Sequence, residues 1–205
     1  MEDVTPRRRL SREDVVHAAL RILDDYGLAD LTMRRLAAAL DVQPSALYWH
    51  FANKQTIIAE LSDRILGRAR PADAAADGPA RLRAEALALR DALLAYRDGA
   101  DVVASTLALG LGSVRPQDRL VRAIAEAGFD PGTARGAATA LTHFVLGHVS
   151  HEQQRMQYES LGVRPDDSSP DAVDDGDSQR EFLFGVGLLV GGLMALRPAS
   201  SRARG

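Results

Sequence analysis

Apolar residues recur along most of this chain at three- and four-residue spacing, the period of an amphipathic helix. From Ser11, a stripe of Val15, Ala18, Ala19, Ile22 and Leu23 predicts a first helix. Ser11-x-x-Asp14 has the form of a capping box with aspartate in the usual glutamate position, and Gly27 supplies a stop. Thr32 then reads as an N-cap for Met33, Leu36, Ala37 and Leu40, which lie on one face. Asp41-Val42 turns the chain. Pro44 suits the first turn of a third, short helix, where an N–H would be unpaired anyway, and Leu47 and Phe51 anchor it. A fourth helix over about Asn53–Arg68 buries Ile57, Ile58, Leu61, Ile65 and Leu66.

Pro71–Pro79 breaks the pattern and reads as a loop. Residues 80–198 return to helical spacing, with no alternating strand pattern. Arg81–Tyr96 places Leu82, Ala86, Leu89, Leu93 and Tyr96 inward, and Gly99 separates it from Asp101–Leu109. Pro116 opens a helix ending at Gly128, and Pro131 starts a long one to about Tyr158. Glu159–Gly176 is polar and acidic, a mobile stretch by composition. A last helix, about Asp177–Arg197, precedes a tail, Ala199–Gly205, that should fray. The expected fold is all-α: a three-helix head over residues 1–52, a connector helix over 53–70, and a helical body over 71–205.

The last helix carries FLFGVGLLVGGLMAL, apolar almost all round, with glycines at 185, 187, 191 and 192. Such a helix must be covered on every side. Each interior glycine costs about 0.5–1 kcal/mol against alanine, which a close helix–helix approach could offset. The Pro131–Tyr158 helix is similarly rich in small residues. The two together predict a homodimer bundle of four helices from two chains; a central helix buried within one chain is the alternative.

In the Leu31–Lys54 span, two short helices meet at a tight turn, the form of a helix-turn-helix that places its second helix in the DNA major groove. Gln43, Ser45, Tyr48, Trp49 and His50 are left facing outward on that short helix. An exposed Trp, Tyr and His together argue for a partner. Arg34 and Arg35 before them and Lys54 after them stand where phosphates would flank a groove-bound helix. A compact helical subdomain without DNA is the competing reading. A two-fold dimer would read two half-sites and gain specificity from their spacing.

Composition adjusts the picture little. The 205 residues suffice for one or two domains and carry a net charge of -3, unusual for a DNA binder. Residues 1–70 hold 11 Arg/Lys against 10 Asp/Glu, the remainder 14 against 18, so the acidity lies outside the head. Arg7-Arg8-Arg9 could be a basic arm on phosphates or the minor groove, or a solvated tail. With no cysteine there is no disulfide framework and no thiolate zinc site. No apolar stretch follows the arginines as in a signal peptide, and Phe182–Leu196 is shorter than the ~20 residues of a membrane span, so a cytoplasmic protein with no membrane partner is expected.

The head resembles a known family. L-T-x-R-x-L-A, then V-x-x-x-x-L-Y-W-H-F and N-K, looks like the N-terminal domain of the TetR family of transcriptional regulators, over about Leu10–Leu66. L-Y-W-H is particularly similar to the tetracycline repressors, and so, more thinly, are Ala95–Ala100 and His143–Gln153 in the body. The resemblance implies operator DNA as one partner, a second copy of the chain as another, and a small-molecule effector whose binding spreads the heads. On the head it implies Thr32, Arg34, Gln43, Pro44, Ser45, Tyr48, Trp49, His50 and Lys54 as the DNA-binding set. In the body it points to Arg70, Glu85, Leu89, Val103, Leu107, Leu120 and His151 around the effector.

This chain departs from the tetracycline repressors in that pocket. Arg70 aligns with their drug-contacting histidine, and Glu85 and Leu89 with an asparagine and a phenylalanine. Val103 aligns with their magnesium-ligating histidine, Leu120 with a glutamine and His151 with a glutamate. Valine cannot ligate a hard cation. The resemblance therefore implies a repressor released by a different, more apolar effector, with no metal or cofactor required.

His143, His148 and His151 leave other functions open. His148 and His151 share a helix face beside Glu152, so a metal site or a proton-transfer pair could form there. Polar pocket lining and interface packing are the alternatives. No G-x-S-x-G, H-E-x-x-H or phosphate-cradling loop accompanies them. A helical metal-dependent enzyme is therefore the alternative function, and a DNA-binding or scaffold protein without an effector a third.

Overall fold

The computed structural model describes residues 10–73, 77–162 and 175–197. The expected arm at Arg7–Arg9, the middle of the Pro71–Pro79 loop, most of the acidic Glu159–Gly176 stretch and the tail lie outside them. Nine α-helices and no strand occur among the described residues. They are α1 (Arg12–Tyr26), α2 (Met33–Ala39), α3 (Pro44–Tyr48), α4 (Lys54–Leu66), α5 (Gly78–Leu94), α6 (Gly99–Ala108), α7 (Gln117–Glu126), α8 (Pro131–Ser160) and α9 (Asp175–Ala195).

Helix starts follow local chemistry. Ser11 and Asp14 close the expected capping box on α1. Thr32 accepts from the Arg35 N–H, Asn53 from Thr56, Asp77 from Ala80 and Asp130 from Gly132 and Thr133. Hydrogen bonds from the Thr133 hydroxyl and backbone hold the Asp130 carboxyl below the usual carboxylate range.

In the head, Val15, Leu23, Leu36, Leu47 and Phe51 pack into one core with Ile57, Leu61 and Ile65 of α4. Helix α4 is the bridge: it packs on α1 at one side and on α5 and α6 at the other. Two arginine pairs fasten it to α1. Arg64 pairs with Glu13, and Arg12 with Glu60 at 2.8 Å.

One boundary differs from the sequence expectation. Gly99 begins α6 instead of separating two helices. Its Cα lies so close to the end of α5 that an added Cβ would stand 2.2 Å from the Leu93 carbonyl oxygen. Spacing alone reads any glycine as a break; here it is a point of close approach.

The long pair, α8 and α9, forms the far side of the body. Phe182, Val186, Val190 and Leu193 of α9 point into the core, and Phe144 of α8 stacks on Phe182 at 5.8 Å. Of the glycines at 185, 187, 191 and 192 in α9, Gly185 serves close packing inside the chain, since a Cβ there would strike the Phe144 ring. Around Gly187, Gly191 and Gly192, and around Gly136 and Gly147 of α8, a Cβ would meet open space. Among the described residues nothing packs against those glycines to supply the anticipated offset. Leu183, Phe184, Leu188, Leu189 and Leu196 are exposed beside them. A shallow apolar cavity of about 390 Å³ runs between α8 and α9 there.

Candidate DNA interface and effector cavity

The second helix of the head, α3, is one and a half turns long and starts at Pro44, which needs no N–H partner there. Leu47 (0% exposed) and Phe51 (2%) bolt it to the core. Arg12 secures its exit: its guanidinium lies 4.0 Å from the Phe51 ring centroid and donates to the His50 carbonyl at 2.9 Å. With its inner side fixed, the helix presents Gln43, Pro44, Ser45, Tyr48 and Trp49 outward, Trp49 at 89% exposure and Tyr48 at 54%. His50 is half-buried at its end.

Thr32 and Arg34 are exposed at the start of α2, the helix that packs on α3. Arg35 is not free in this state: it pairs with Asp30 and its guanidinium stacks over Tyr26 at 3.7 Å. Lys54 sits at the first position of α4 and reaches the Leu28 carbonyl at a long 3.4 Å, so it is partly engaged in the head's own frame.

The head also touches the body directly. Asp98, in the left-handed region at φ 54°, accepts the Leu28 N–H at 2.7 Å. Gln157 of α8 donates to the other oxygen of the same carboxylate. Such a backbone costs a non-glycine residue of order 1–3 kcal/mol and persists only where its surroundings hold it. Nothing in the spacing of apolar residues signals this contact, because its partners lie 59 and 70 positions away.

Of the body residues expected around an effector, only Leu107 lines the cavity formed by α6, the loop after it and α8. Val103 (0% exposed), Leu120 (1%) and Leu89 (5%) belong to the core. Glu85, also buried, pairs with Arg119 and accepts the Ala72 N–H at 3.2 Å. Arg119 in turn donates to the carbonyls of Ala69 at 2.7 Å and Arg70 at 2.6 Å. This knot fastens the chain leaving α4 to the body. The space remaining beside Glu85, Leu89 and Leu120 is about 30 Å³. The Arg70 side chain is exposed, lining a separate surface groove with Arg68.

The open cavity, of about 520 Å³, lies between α6, the loop after it and α8. Leu107, Ala108, Leu111 and Leu146 line it, with Thr142 and Gln117 among its polar groups. The loop at its edge is tied to α4: Asp63 accepts the N–H groups of Ser113 and Val114, each at 2.9 Å, and the Ser113 hydroxyl at 2.6 Å. The helix that carries the DNA head is thus hydrogen-bonded to the rim of the cavity.

The histidines do not converge. His143 is exposed at the cavity wall, and His151 is exposed farther along α8. His148 turns to α9, 3.2 Å from the Ser178 carbonyl and against the Phe144 and Phe182 rings. Glu152, the carboxylate beside them in sequence, is buried and paired with Arg90 at 2.6 Å. No group of three or more metal-ligating side chains occurs among the described residues. The helical metalloenzyme reading therefore lacks its constellation.

A short helix braced to present an aromatic polar face, joined through one bridging helix to a helical body with a cavity, defines a helix-turn-helix regulator. Comparison with known proteins agrees. Residues 15–61 match the model of bacterial regulatory proteins of the tetR family, and residues 70–197 that of the tetracyclin repressor-like C-terminal domain. The chain belongs to the TetR family. It is 34% identical to the class C tetracycline repressor protein of Escherichia coli, over 92% of this chain and 93% of that one. Among solved structures it resembles Mycobacterium smegmatis BioQ, with a TM-score of 0.81 and 42% identity over 91% and 98% of the two chains. A structure of BioQ with its double-stranded DNA operator is similar at a TM-score of 0.76 and 41% identity, over 90% of this chain and 98% of that one. Members of this family are transcriptional regulators rather than enzymes; they bind operator DNA as homodimers and respond to small molecules. No helix among the described residues is long and apolar enough to cross a membrane.

Proposed function

We propose that this chain is a cytoplasmic repressor that holds its operator as a homodimer and leaves it when a small molecule other than magnesium-tetracycline binds. The carrying observation is the closed inner pocket. At positions that the resemblance aligns with the drug contacts of the tetracycline repressors, Val103 and Leu120 are core residues and Glu85 is tied to Arg119, and the space beside Glu85, Leu89 and Leu120 is about 30 Å³. A ligand of drug size needs about 300 Å³ or more. The 520 Å³ cavity beside Leu107 meets that requirement.

In this reading residues 1–52 form the DNA-binding unit, 53–70 the connector and 71–205 the effector and dimer unit. Gln43 and Ser45 read bases, Arg34 reaches a guanine or a phosphate, and Tyr48 packs against the backbone or a base. Pro44 and Trp49 shape the contact face. Thr32, His50 and Lys54 approach phosphates. The similarity to BioQ bound to a double-stranded operator supports this assignment. Effector binding displaces the 110–114 loop, the Asp63 clasp yields, and α4 swings the head. Such a ligand shifts the equilibrium only by its differential affinity for the two states.

A gel shift with the DNA flanking the chain's own gene tests this. Retention of that DNA, unrelieved by magnesium-tetracycline, is expected. Release by magnesium-tetracycline at concentrations that free a tetracycline repressor would overturn the effector assignment. Failure to retain any operator would overturn the repressor reading.

A further inference from the structure

Taking the Leu107 cavity as the effector site, we infer that it selects an apolar carboxylic acid that also carries a hydrogen-bond donor. Its walls are mainly aliphatic, from Leu107, Leu111 and Leu146, so most of the ligand must be apolar. Its polar side chains come from the loop and α7 on one wall and from α8 on the other. Arg115 and His143 are the titratable side chains on the wall, and no carboxylate lines it.

Arg115 is exposed, and no carboxylate lies within ion-pair distance of it among the described residues. Arg119, four residues along on α7, is by contrast held by Glu85 and two backbone carbonyls. A free guanidinium offers a planar fork of donors matched to a carboxylate, and at the edge of an apolar cavity its field is less screened than in open solvent. An anionic end group is the complement. A cationic ligand would meet Arg115 and find no counter-charge.

Gln117 supplies the second constraint. Its side-chain oxygen is buried and has no hydrogen-bond partner among the described residues. A buried acceptor left unpaired is costly, and because the Gln117 side chain lines the cavity, a turn of its amide into that space would let a ligand hydroxyl or N–H satisfy it. The inner pocket cannot contribute, because Glu85 already occupies Arg119 there. The acid is therefore recognised at the rim, by Arg115, while the apolar body fills the space between α6 and α8.

The test is calorimetric titration of the full-length protein with 2-naphthoate and its uncharged analogue 2-naphthalenemethanol, at neutral pH. The acid should bind at least about tenfold tighter, the gain of a charge-assisted pair. Arg115→Gln should bring the two to within about twofold of each other without weakening the alcohol. Replacing 2-naphthoate by 6-hydroxy-2-naphthoate should tighten binding, and Gln117→Leu should remove that gain. Ala108→Trp, at an exposed wall position and checked for an unchanged thermal transition, should block all three compounds. Equal affinity for acid and alcohol, or an acid preference that survives Arg115→Gln, would overturn the inference while leaving the cavity as the site. No gain from the added hydroxyl would overturn the donor requirement alone. Absence of binding by every compound, or binding indifferent to Ala108→Trp, would overturn the site reading and this inference with it.

Discussion

Gly99 and Gly191 show how differently one residue type is used. At Gly99 a Cβ would collide with a backbone carbonyl that cannot move without unwinding the end of α5. Gly99→Ala should therefore destabilise the fold by about 1–3 kcal/mol, the range for overpacking, read as a lower thermal transition. The DNA face follows the same logic in reverse at Gln43 and Ser45, whose side chains are exposed and cap nothing. Gln43→Ala or Ser45→Ala should leave the thermal transition unchanged but cost about 1–3 kcal/mol of discrimination at one operator position. Lys54→Ala should weaken all sequences alike and lower the salt slope by about one. An unchanged salt slope would show that the bond to the Leu28 carbonyl is its whole role.

Among the helices, α4 carries the coupling. Its N-terminus starts next to the head, its middle is clasped to the 113–114 loop through Asp63, and the chain beyond it is gripped by Arg119. Asp63→Ala removes the acceptor of three donor groups, the Ser113 N–H and hydroxyl and the Val114 N–H, from the clasp only. It should lower operator affinity in the absence of any effector, as a gel shift would show, while the helical circular dichroism stays intact. Normal operator affinity in that variant would rule out the clasp as the link between cavity and head. The same helix has a pH-sensitive contact. Donation from Arg64 lowers the Glu13 pKa, so their pair contributes stability above the ordinary carboxylate range and loses it as pH falls through the lowered value. Both groups are exposed, so the effect is small. Glu13→Gln should flatten the acid limb of the stability profile and leave the neutral plateau nearly unchanged.

For the assembled protein, the unfilled surface on α8 and α9 is the relevant feature. Leu183, Phe184 and Leu188 are exposed beside glycines that pack against nothing among the described residues. A patch of this kind is covered in solution or it aggregates. The protein should scatter light as a dimer at micromolar concentration. Gly191→Leu has room within one chain, so its helical signal should persist while the dimer weakens by about 1–3 kcal/mol through overpacking against the second copy. A variant that stays dimeric to the wild-type dilution limit would place the interface elsewhere.

Much of this was legible in the order of residues. Ser11, Thr32, Asn53 and Pro44 set helix starts through their own neighbours, and the buried faces of α1, α2 and α4 followed from spacing, because helical period and capping are local. The outward set on α3 could be read for the same reason: once Leu47 and Phe51 are inward, the rest of a short helix has no choice. The site in the body could not. Whether Glu85 faced a ligand or Arg119, whether Val103 lined a cavity or the core, and which of three histidines met one another depended on contacts between residues far apart in the chain. Asp98, Asp63 and Arg119 left no local signal, since each acts on backbone groups about 50–70 positions away. Sequence alone determined the helices and their faces through short-range geometry. Only tertiary packing decided which polar groups were consumed in holding the body together and which, like Arg115 and Gln117, were left for something else.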